Sequence, residues 1–177
     1  MKKPKQSKPS VPAVRGHLMG VEPTPTTLLE RAVSSGASIE VLERLMDLQE
    51  RWEANQARKA FDAAMAAIRS DLPAIVKDQT VDFTSGGGGH INYRHESLHA
   101  VTKALSPIMA QHGLSFRWRT NTDAPDTVSV TCILSHSGGH SEEVTLVAKH
   151  DHSGSKNNIQ ALGSAVTYLQ RYTLKAA

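Results

Sequence analysis

The sequence predicts an α+β fold: an antiparallel sheet with helices on one face, preceded by a long N-terminal helix. Apolar residues recur at three- and four-residue steps between Ile39 and Leu72, which is the spacing of one helical face. After residue 75, short alternating segments are separated by turns that contain glycine, a pattern typical of antiparallel strands. The order along the chain is hairpin, helix, three-stranded meander and helix.

Residues 1–26 are rich in Lys, Pro and Ser, and this composition predicts a flexible basic tail. Thr27 and Glu30 have the spacing of a capping box that opens a short helix. A second helix is predicted to begin after Ser38 and to end before Pro73, with a length of about 50 Å at 1.5 Å per residue.

Such a long helix fits two roles equally well. It can pair with a partner helix or a neighbouring subunit, or it can lie on its own domain with a solvated outer face. We predict that residues 27–73 form a helical segment for oligomerisation and that residues 74–177 form the α+β core.

The core is predicted to open with a hairpin, in which residues 75–83 form the first strand and the segment HINYR forms the second. The four glycines at 86–89 lie between these strands. A phosphate-binding loop would need a Lys and a Ser or Thr at the start of a following helix, whereas a strand follows here. A flexible hairpin tip is therefore predicted.

The next helix is predicted to use Ser97 as its N-cap and to end at Gly113. Pro107 removes one backbone donor, which predicts either a kink or a fresh start capped by Ser106. The apolar side is formed by Leu98, Val101, Leu105, Ile108, Met109 and His112.

Three strands and a final helix follow. Alternation places Phe116 and Trp118 on one face of the first strand and Arg117 and Arg119 on the other. The inward residues of the next two strands are Val128, Val130, Cys132 and Leu134, then Val144, Leu146 and Ala148. The final helix has an apolar stripe of Ile159, Leu162, Val166 and Leu169.

Composition narrows the class of protein. The 177 residues are sufficient for one ordinary domain, and the single Cys132 excludes an internal disulfide framework, which favours a reducing cytoplasm. No apolar run approaches the length of a membrane span. The net charge is only +3, but residues 97–122 and 152–177 lack acids altogether, which predicts one positive face.

His95, Glu96 and His99 have the His-Glu-x-x-His spacing of zinc metalloproteases. Both histidines must lie on one helix face to chelate one ion, but Ser97 is the better N-cap, so His95 is predicted to precede the helix. A zinc-dependent hydrolase is therefore the weaker alternative. Solvated loop histidines are favoured over a metal site for His136, His140, His150 and His152.

Polar and aromatic residues follow the final helix at steps of four, three and four: Ser164, Tyr168, Arg171 and Lys175. Thr167 adds a hydroxyl and Tyr172 a second aromatic ring. Cations interleaved with aromatic rings suit single-stranded nucleic acid, because they combine phosphate neutralisation with base stacking. The pattern fits a merely solvated helix face equally well. Further residues that extend the surface are Tyr93, Arg94, Lys103, Arg117 and Arg119.

The segment QALGSAVTYLQRYTL, residues 160–174, resembles the signature of the Erf (essential recombination function) family of phage single-strand annealing proteins. Their core ends on a Gln-Ala-x-Gly-Ser-Ala-x-Thr-Tyr-x-x-Arg-Tyr helix. Three other segments resemble the family in the same order: LQERWEANQARKAFDAAMAAIRSDLPAIVKD, YRHESLHAVTKALSPIMAQHGLSF and CILSHSGGHSEE. His95 departs from the resemblance, since the family usually has Ala there.

The resemblance implies a core of the annealing-ring type. It also implies ATP-independent binding of single-stranded DNA and annealing of complementary strands in phage recombination, by ring or filament oligomers. No catalytic residue, metal or cofactor is expected. The implied partners are single-stranded DNA, the annealed duplex and other copies of the chain. A phage exonuclease or a host single-strand-binding protein is a further candidate, in the cytoplasm of a phage-infected or prophage-carrying bacterium.

For this DNA-binding surface we predict that Arg171 and Lys175 contact phosphates and that Tyr168 stacks or hydrogen-bonds. The supporting cations are Lys156, Lys103, Arg94, Arg117 and Arg119. In one alternative, Arg171 forms an ion pair with a neighbouring subunit. In another, the chain is a protein-binding adaptor that uses its long helix and has no affinity for DNA at low salt.

Overall fold

The computed structural model describes residues 23–84, 88–152 and 156–177. Most of the predicted basic tail and half of the predicted hairpin tip lie outside these ranges. The chain divides into two compact units, Met1–Gln49 and Glu50–Ala177. None of the helices in the described ranges combines the length and the apolar character needed to cross a membrane.

The first unit contains α1, Pro25–Ser34, and the beginning of α2, Ile39–Asp71. The predicted capping box at Thr27 is wrong, because Thr24 is the N-cap and its side chain accepts a hydrogen bond from the backbone N–H of Thr27. Pro25 at the first helical position has the φ that a helix needs, so the helix begins inside the predicted tail. The predicted long helix is confirmed and has 33 residues.

The second unit contains a hairpin of β1, Gln79–Thr84, and β2, His90–His95, with Gln79 opposite His95. The first strand begins at Gln79 and not at residue 75 as predicted. Asp78 explains the difference, because its carboxylate accepts two hydrogen bonds from Ser97, from the backbone N–H and the hydroxyl, each at 2.6 Å. Asp78 thus fastens the start of the hairpin to the start of the next helix.

That helix, α3, spans Leu98–Gln111 with Ser97 as its N-cap, as predicted. Pro107 lies inside one continuous helix, so the predicted alternative of a fresh start is wrong. Ser106 does not cap a new helix, because its hydroxyl donates to the carbonyl of Thr102 in the preceding turn at 2.7 Å.

A three-stranded antiparallel sheet of β3, Leu114–Asn121, β4, Thr127–His136, and β5, Ser141–Lys149, follows in the order β3-β4-β5. The hairpin does not join it and forms a separate two-stranded sheet. The last helix, α4, is Asn158–Ala176, and a capping box between Asn157 and Gln160 opens it. The predicted α+β fold is confirmed.

The two hydrophobic clusters lie on one face of the three-stranded sheet, as predicted from strand alternation, and Thr131 and Ile133 on the other face of β4 are buried as well. One cluster joins α2, α3 and α4 to this face through Phe61, Ala64, Ile68, Val101, Met109, Leu114, Cys132, Leu134 and Leu174. A second joins α4 to β4 through Val128, Val130, Ala165 and Leu169. Trp118 packs against both clusters and donates its indole N–H to Thr173.

The predicted apolar stripe of α4 is correct at Leu169, which is buried, and wrong at Ile159. Ile159 is 82% exposed, whereas Ala161 and Ala165 are buried against the sheet. Alanine side chains let the helix backbone approach β4 and β5 closely, so these two small residues face the core together with Leu169. Leu162 and Val166 are only partly buried beside them.

Gly113, at the end of α3, should not tolerate a side chain. Its φ is +69°, and a Cβ would lie 2.7 Å from the Ser137 hydroxyl. We expect Gly113→Ala to lower the free energy of unfolding by about 1–3 kcal/mol. Gly36→Ala is the matched control, because Gly36 has a φ of +71° with no atom near its Cβ. Chemical denaturation of both variants measures the difference, and equal losses would show that the contact with Ser137 costs nothing.

Candidate functional site

Two hollows in the second unit share Ser164 and Tyr168 of α4. The first, about 440 Å³, is lined by Gln79, His95, Ser97, Leu98, Gly163, Ser164, Thr167, Tyr168 and Arg171. The second, about 570 Å³, is lined by Val81, Tyr93, Ala148, Lys149, Asp151, Lys156, Ser164, Ala165, Tyr168 and Leu169. We call the two hollows together the α4 cleft.

Arg171 occupies a position that differs from its predicted one. The sequence placed it on the outer face of the last helix, but it is only 5% exposed. Its Nη1 donates to the Glu96 carbonyl at 2.8 Å and lies 2.5 Å from Nδ1 of His95. The end of the hairpin therefore covers Arg171.

Nδ1 of His95 has two close neighbours. It lies 2.5 Å from Nη1 of Arg171 and 2.9 Å from the Glu96 carbonyl oxygen. His95 thus forms part of a fixed polar layer between the hairpin and α4.

Two tyrosine rings lie beside the buried cation. The Arg171 Cζ atom is 4.6 Å from the ring centroid of Tyr168 and 5.2 Å from that of Tyr172. The two rings are themselves 5.2 Å apart with 35° between their planes. Cation–π attraction of this kind orients aromatic rings, and these two remain 44% and 43% exposed.

Tyr93 adds a third exposed ring, from β2. It is 44% exposed, lies opposite Val81 in the hairpin, and lines the second hollow together with Tyr168. The chain contains only three tyrosines, and all of them lie in or beside the α4 cleft. The arrangement offers flat, partly exposed aromatic surface on both sides of a hollow.

Lys175 and Lys156, both predicted to be DNA-contacting cations, have acidic partners. Lys175 forms an ion pair with Glu96. The hydrogen bond from Lys175, assisted by the nearby charge of Arg171, holds the pKa of Glu96 below its usual range. Lys156 pairs with Asp151 and also lies 3.3 Å from the Ser164 hydroxyl. Their charges are partly neutralised in the isolated chain.

Small and hydroxyl-bearing residues form the rest of the α4 surface. Thr167 donates its hydroxyl to the carbonyl of Gly163 at 2.9 Å, which leaves the oxygen lone pairs free to accept. A Cβ added at Gly163 would meet no atom within 4 Å. Packing within the chain therefore does not require a glycine at position 163, whereas the close approach of a ligand to the helix would.

Several residues predicted for the same surface lie elsewhere. Arg117 and Arg119 project from the sheet face opposite α4, because Phe116 and Trp118 take the helix side, and Arg119 pairs with Glu143 at 2.8 Å. The structure therefore does not extend the α4 surface through these two arginines.

Two further predicted cations are also outside the cleft. Arg94 alternates with Tyr93 and His95 along β2, and its guanidinium donates to the Lys77 carbonyl at 2.6 Å. Lys103 lies on α3 and lines neither hollow. In contrast, Lys149 on β5 lines the second hollow and was not predicted.

The zinc-protease spacing does not produce a chelating helix face. As predicted, His95 lies before the helix, as the last residue of β2, and His99 follows on α3 beyond the Ser97 cap. Nδ1 of His95 is occupied by Arg171, and Glu96 is paired with Lys175. This arrangement gives no support to the hydrolase alternative.

Comparison with known proteins gives a match to a family model. The family model described as ERF superfamily matches residues 61–177, which include the core-facing part of α2 and the whole α4 cleft. No curated protein and no solved structure matches the chain significantly.

Proposed function

The chain belongs to the ERF superfamily, and from this we propose that it binds single-stranded DNA in the α4 cleft and anneals complementary strands. The family is one of phage recombination and annealing proteins and not of known hydrolases. The observation that carries the choice of site is the group of three partly exposed tyrosines: Tyr168 and Tyr172 lie beside the buried Arg171, and Tyr93 lines the second hollow together with Tyr168.

The roles within the cleft follow from exposure and charge. Tyr168 and Tyr93 stack on bases, a contact worth about 1–3 kcal/mol per base. Lys149, Lys156 and Lys175 contact phosphates, and a phosphate competes with the carboxylates that now pair with the last two. Arg171 is a positioning residue, because it is buried and its guanidinium orients the rings of Tyr168 and Tyr172.

Annealing on such a surface needs no catalytic group and no nucleotide. The protein neutralises phosphates and holds bases unstacked, while complementary pairing supplies the free energy. Sequence-independent stacking suits this task, because every base has a flat face.

We further propose that the chain forms a homo-oligomer, a ring or filament, through the helical segment 27–73. In the first unit, the beginning of α2 exposes large apolar side chains: Ile39, Val41, Met46 and Leu48. These side chains form two apolar stripes on opposite faces of the helix, Ile39 with Met46 and Val41 with Leu48, and exposed apolar surface of this kind is typical of protein interfaces. Phage exonuclease and host single-strand-binding protein are candidate partners of the assembly.

The direct test is binding and annealing without ATP. Fluorescence anisotropy with an oligo-dT probe should show affinity that falls as salt rises, since phosphate contacts release counterions. Complementary labelled strands should pair faster with the protein than alone. Absence of binding at low salt would contradict the proposal and favour the protein-binding adaptor.

Gly163 provides a test of the site itself. Gly163→Ala should raise the free energy of unfolding by about 0.5–1 kcal/mol, because glycine destabilises a helix interior, and should leave binding nearly unchanged. Gly163→Gln places a long side chain in the first hollow and should weaken oligo-dT binding about 10-fold, or about 1.4 kcal/mol. Equal affinity of both variants would place the DNA outside this hollow.

A further inference from the structure

The connection after β3 and the segment after β5 meet at one end of the three-stranded sheet. Thr127 pairs with Lys149 in the ladder, so Asp126 and His150 are the next residues on each side. The backbone N–H of His150 donates to the Asp126 carbonyl at 3.1 Å. This register places Asp126 close to His150 and His152, although Asp126 is far from both histidines in the sequence.

These three side chains converge on a small volume. Oδ1 of Asp126 lies 2.8 Å from Nε2 of His152 and 3.5 Å from Nδ1 of His150. One possible ligand atom from each residue lies within 4.8 Å of the other two. Ligands about 2.0–2.2 Å from a tetrahedral zinc ion are about 3.3 Å apart, so only small side-chain shifts separate this cluster from a coordination sphere.

Local backbone contacts hold the cluster in place. The segment that carries the histidines is fastened by a hydrogen bond from the N–H of Asp151 to the Ala161 carbonyl at 3.2 Å. Nε2 of His150 is buried and has no hydrogen-bond partner in the described part of the chain, so Nδ1 is the nitrogen that faces Asp126. The side chain of His150 is 21% exposed, which differs from the solvated loop histidine predicted from the sequence.

We propose that Asp126, His150 and His152 bind one zinc ion, with water in the open fourth position. Two imidazoles and one carboxylate suit zinc and neighbouring transition metals, whereas magnesium and calcium prefer oxygen ligands. The carboxylate gives the cluster the negative charge that a dication needs. The ion links the start of β4 to the segment that leads into α4. Zinc binding at this site does not depend on DNA binding in the α4 cleft.

Zinc binding to the untagged full chain tests the site. Competition with a chromophoric chelator should give about one zinc per chain, and zinc should raise the melting temperature until EDTA reverses the shift. Asp126→Asn and His152→Ala should each weaken zinc affinity at least ~10-fold. Excess magnesium should not displace the zinc.

The variants are matched to separate metal binding from folding. Asp126 has a φ of +53°, a conformation that Asn also tolerates, so Asp126→Asn keeps the backbone. His90→Ala is the control, because His90 is an exposed histidine that pairs with the single carboxylate of Asp82 at 3.2 Å. Melting curves without zinc verify that each variant folds. Equal zinc affinity in wild type, Asp126→Asn and His152→Ala would overturn the proposal.

Discussion

Arg171→Ala should lower the free energy of unfolding by about 2–4 kcal/mol, because it removes charge-assisted hydrogen bonds from a buried layer. Its guanidinium joins α4 to the hairpin end through His95 and the Glu96 carbonyl. The same change frees the rings of Tyr168 and Tyr172, so single-strand affinity should fall as well. Denaturation curves and anisotropy on the folded fraction measure the two losses separately.

Two controls distinguish the roles of Arg171. Lys175→Ala removes an exposed cation that pairs with the same Glu96, and its cost in stability should be below about 1 kcal/mol. Arg171→Lys keeps the charge, but an ammonium group does not stack on the rings of Tyr168 and Tyr172 as a planar guanidinium does, so it should restore little stability. If Arg171→Ala leaves stability unchanged but breaks the assembly into smaller species, Arg171 pairs across subunits instead, and its buried role is wrong.

Tyr168→Ala should weaken binding of single-stranded oligonucleotides by about 1–3 kcal/mol, or roughly 5- to 150-fold, because it deletes the ring shared by both hollows. Tyr168→Phe keeps the stacking face and should bind within a few-fold of wild type. Since Tyr168 is 44% exposed, the stability of both variants should change little. Anisotropy titrations at two salt concentrations provide the comparison.

The salt dependence separates stacking from charge. Tyr168→Ala should leave the slope of log affinity against log salt unchanged, whereas Lys149→Ala should reduce it, because in the proposed complex the lysine contacts phosphate and the tyrosine does not. Arg117→Ala, on the opposite sheet face, is the matched control. If Arg117→Ala loses affinity while Tyr168→Ala binds like wild type, the DNA follows the other face of the sheet.

Local pattern was enough to predict much of this fold. Strand alternation placed Phe116 and Trp118 on the buried side, and it gave four buried residues of β4 correctly but missed Thr131 and Ile133, which are also buried. Ser97 and Gly113 marked the ends of α3, because capping depends on neighbouring residues alone. Strand alternation and helix capping both depend on residues within about four positions of one another, so a short window of sequence is enough to predict them.

The buried face of α4 could not be predicted in the same way. Its apolar residues pointed to Ile159 as well as Leu169, but the helix packs through Ala161 and Ala165 beside Leu169, because the small side chains let the backbone approach the sheet closely. The boundary of the core shows the same limit, since Phe61 of α2 belongs to the main cluster although it precedes residue 74.

The sequence by itself determined the order of elements, the faces of the strands and the family signature on α4. Only the tertiary structure decided that Arg171 is buried, that His95 borders the cleft, and that Arg117 and Arg119 lie on the other face of the sheet. The reason is separation along the chain: the contact between Arg171 and His95 joins residues 76 positions apart. No local periodicity encodes such a contact, because it exists only once the hairpin has packed against the last helix.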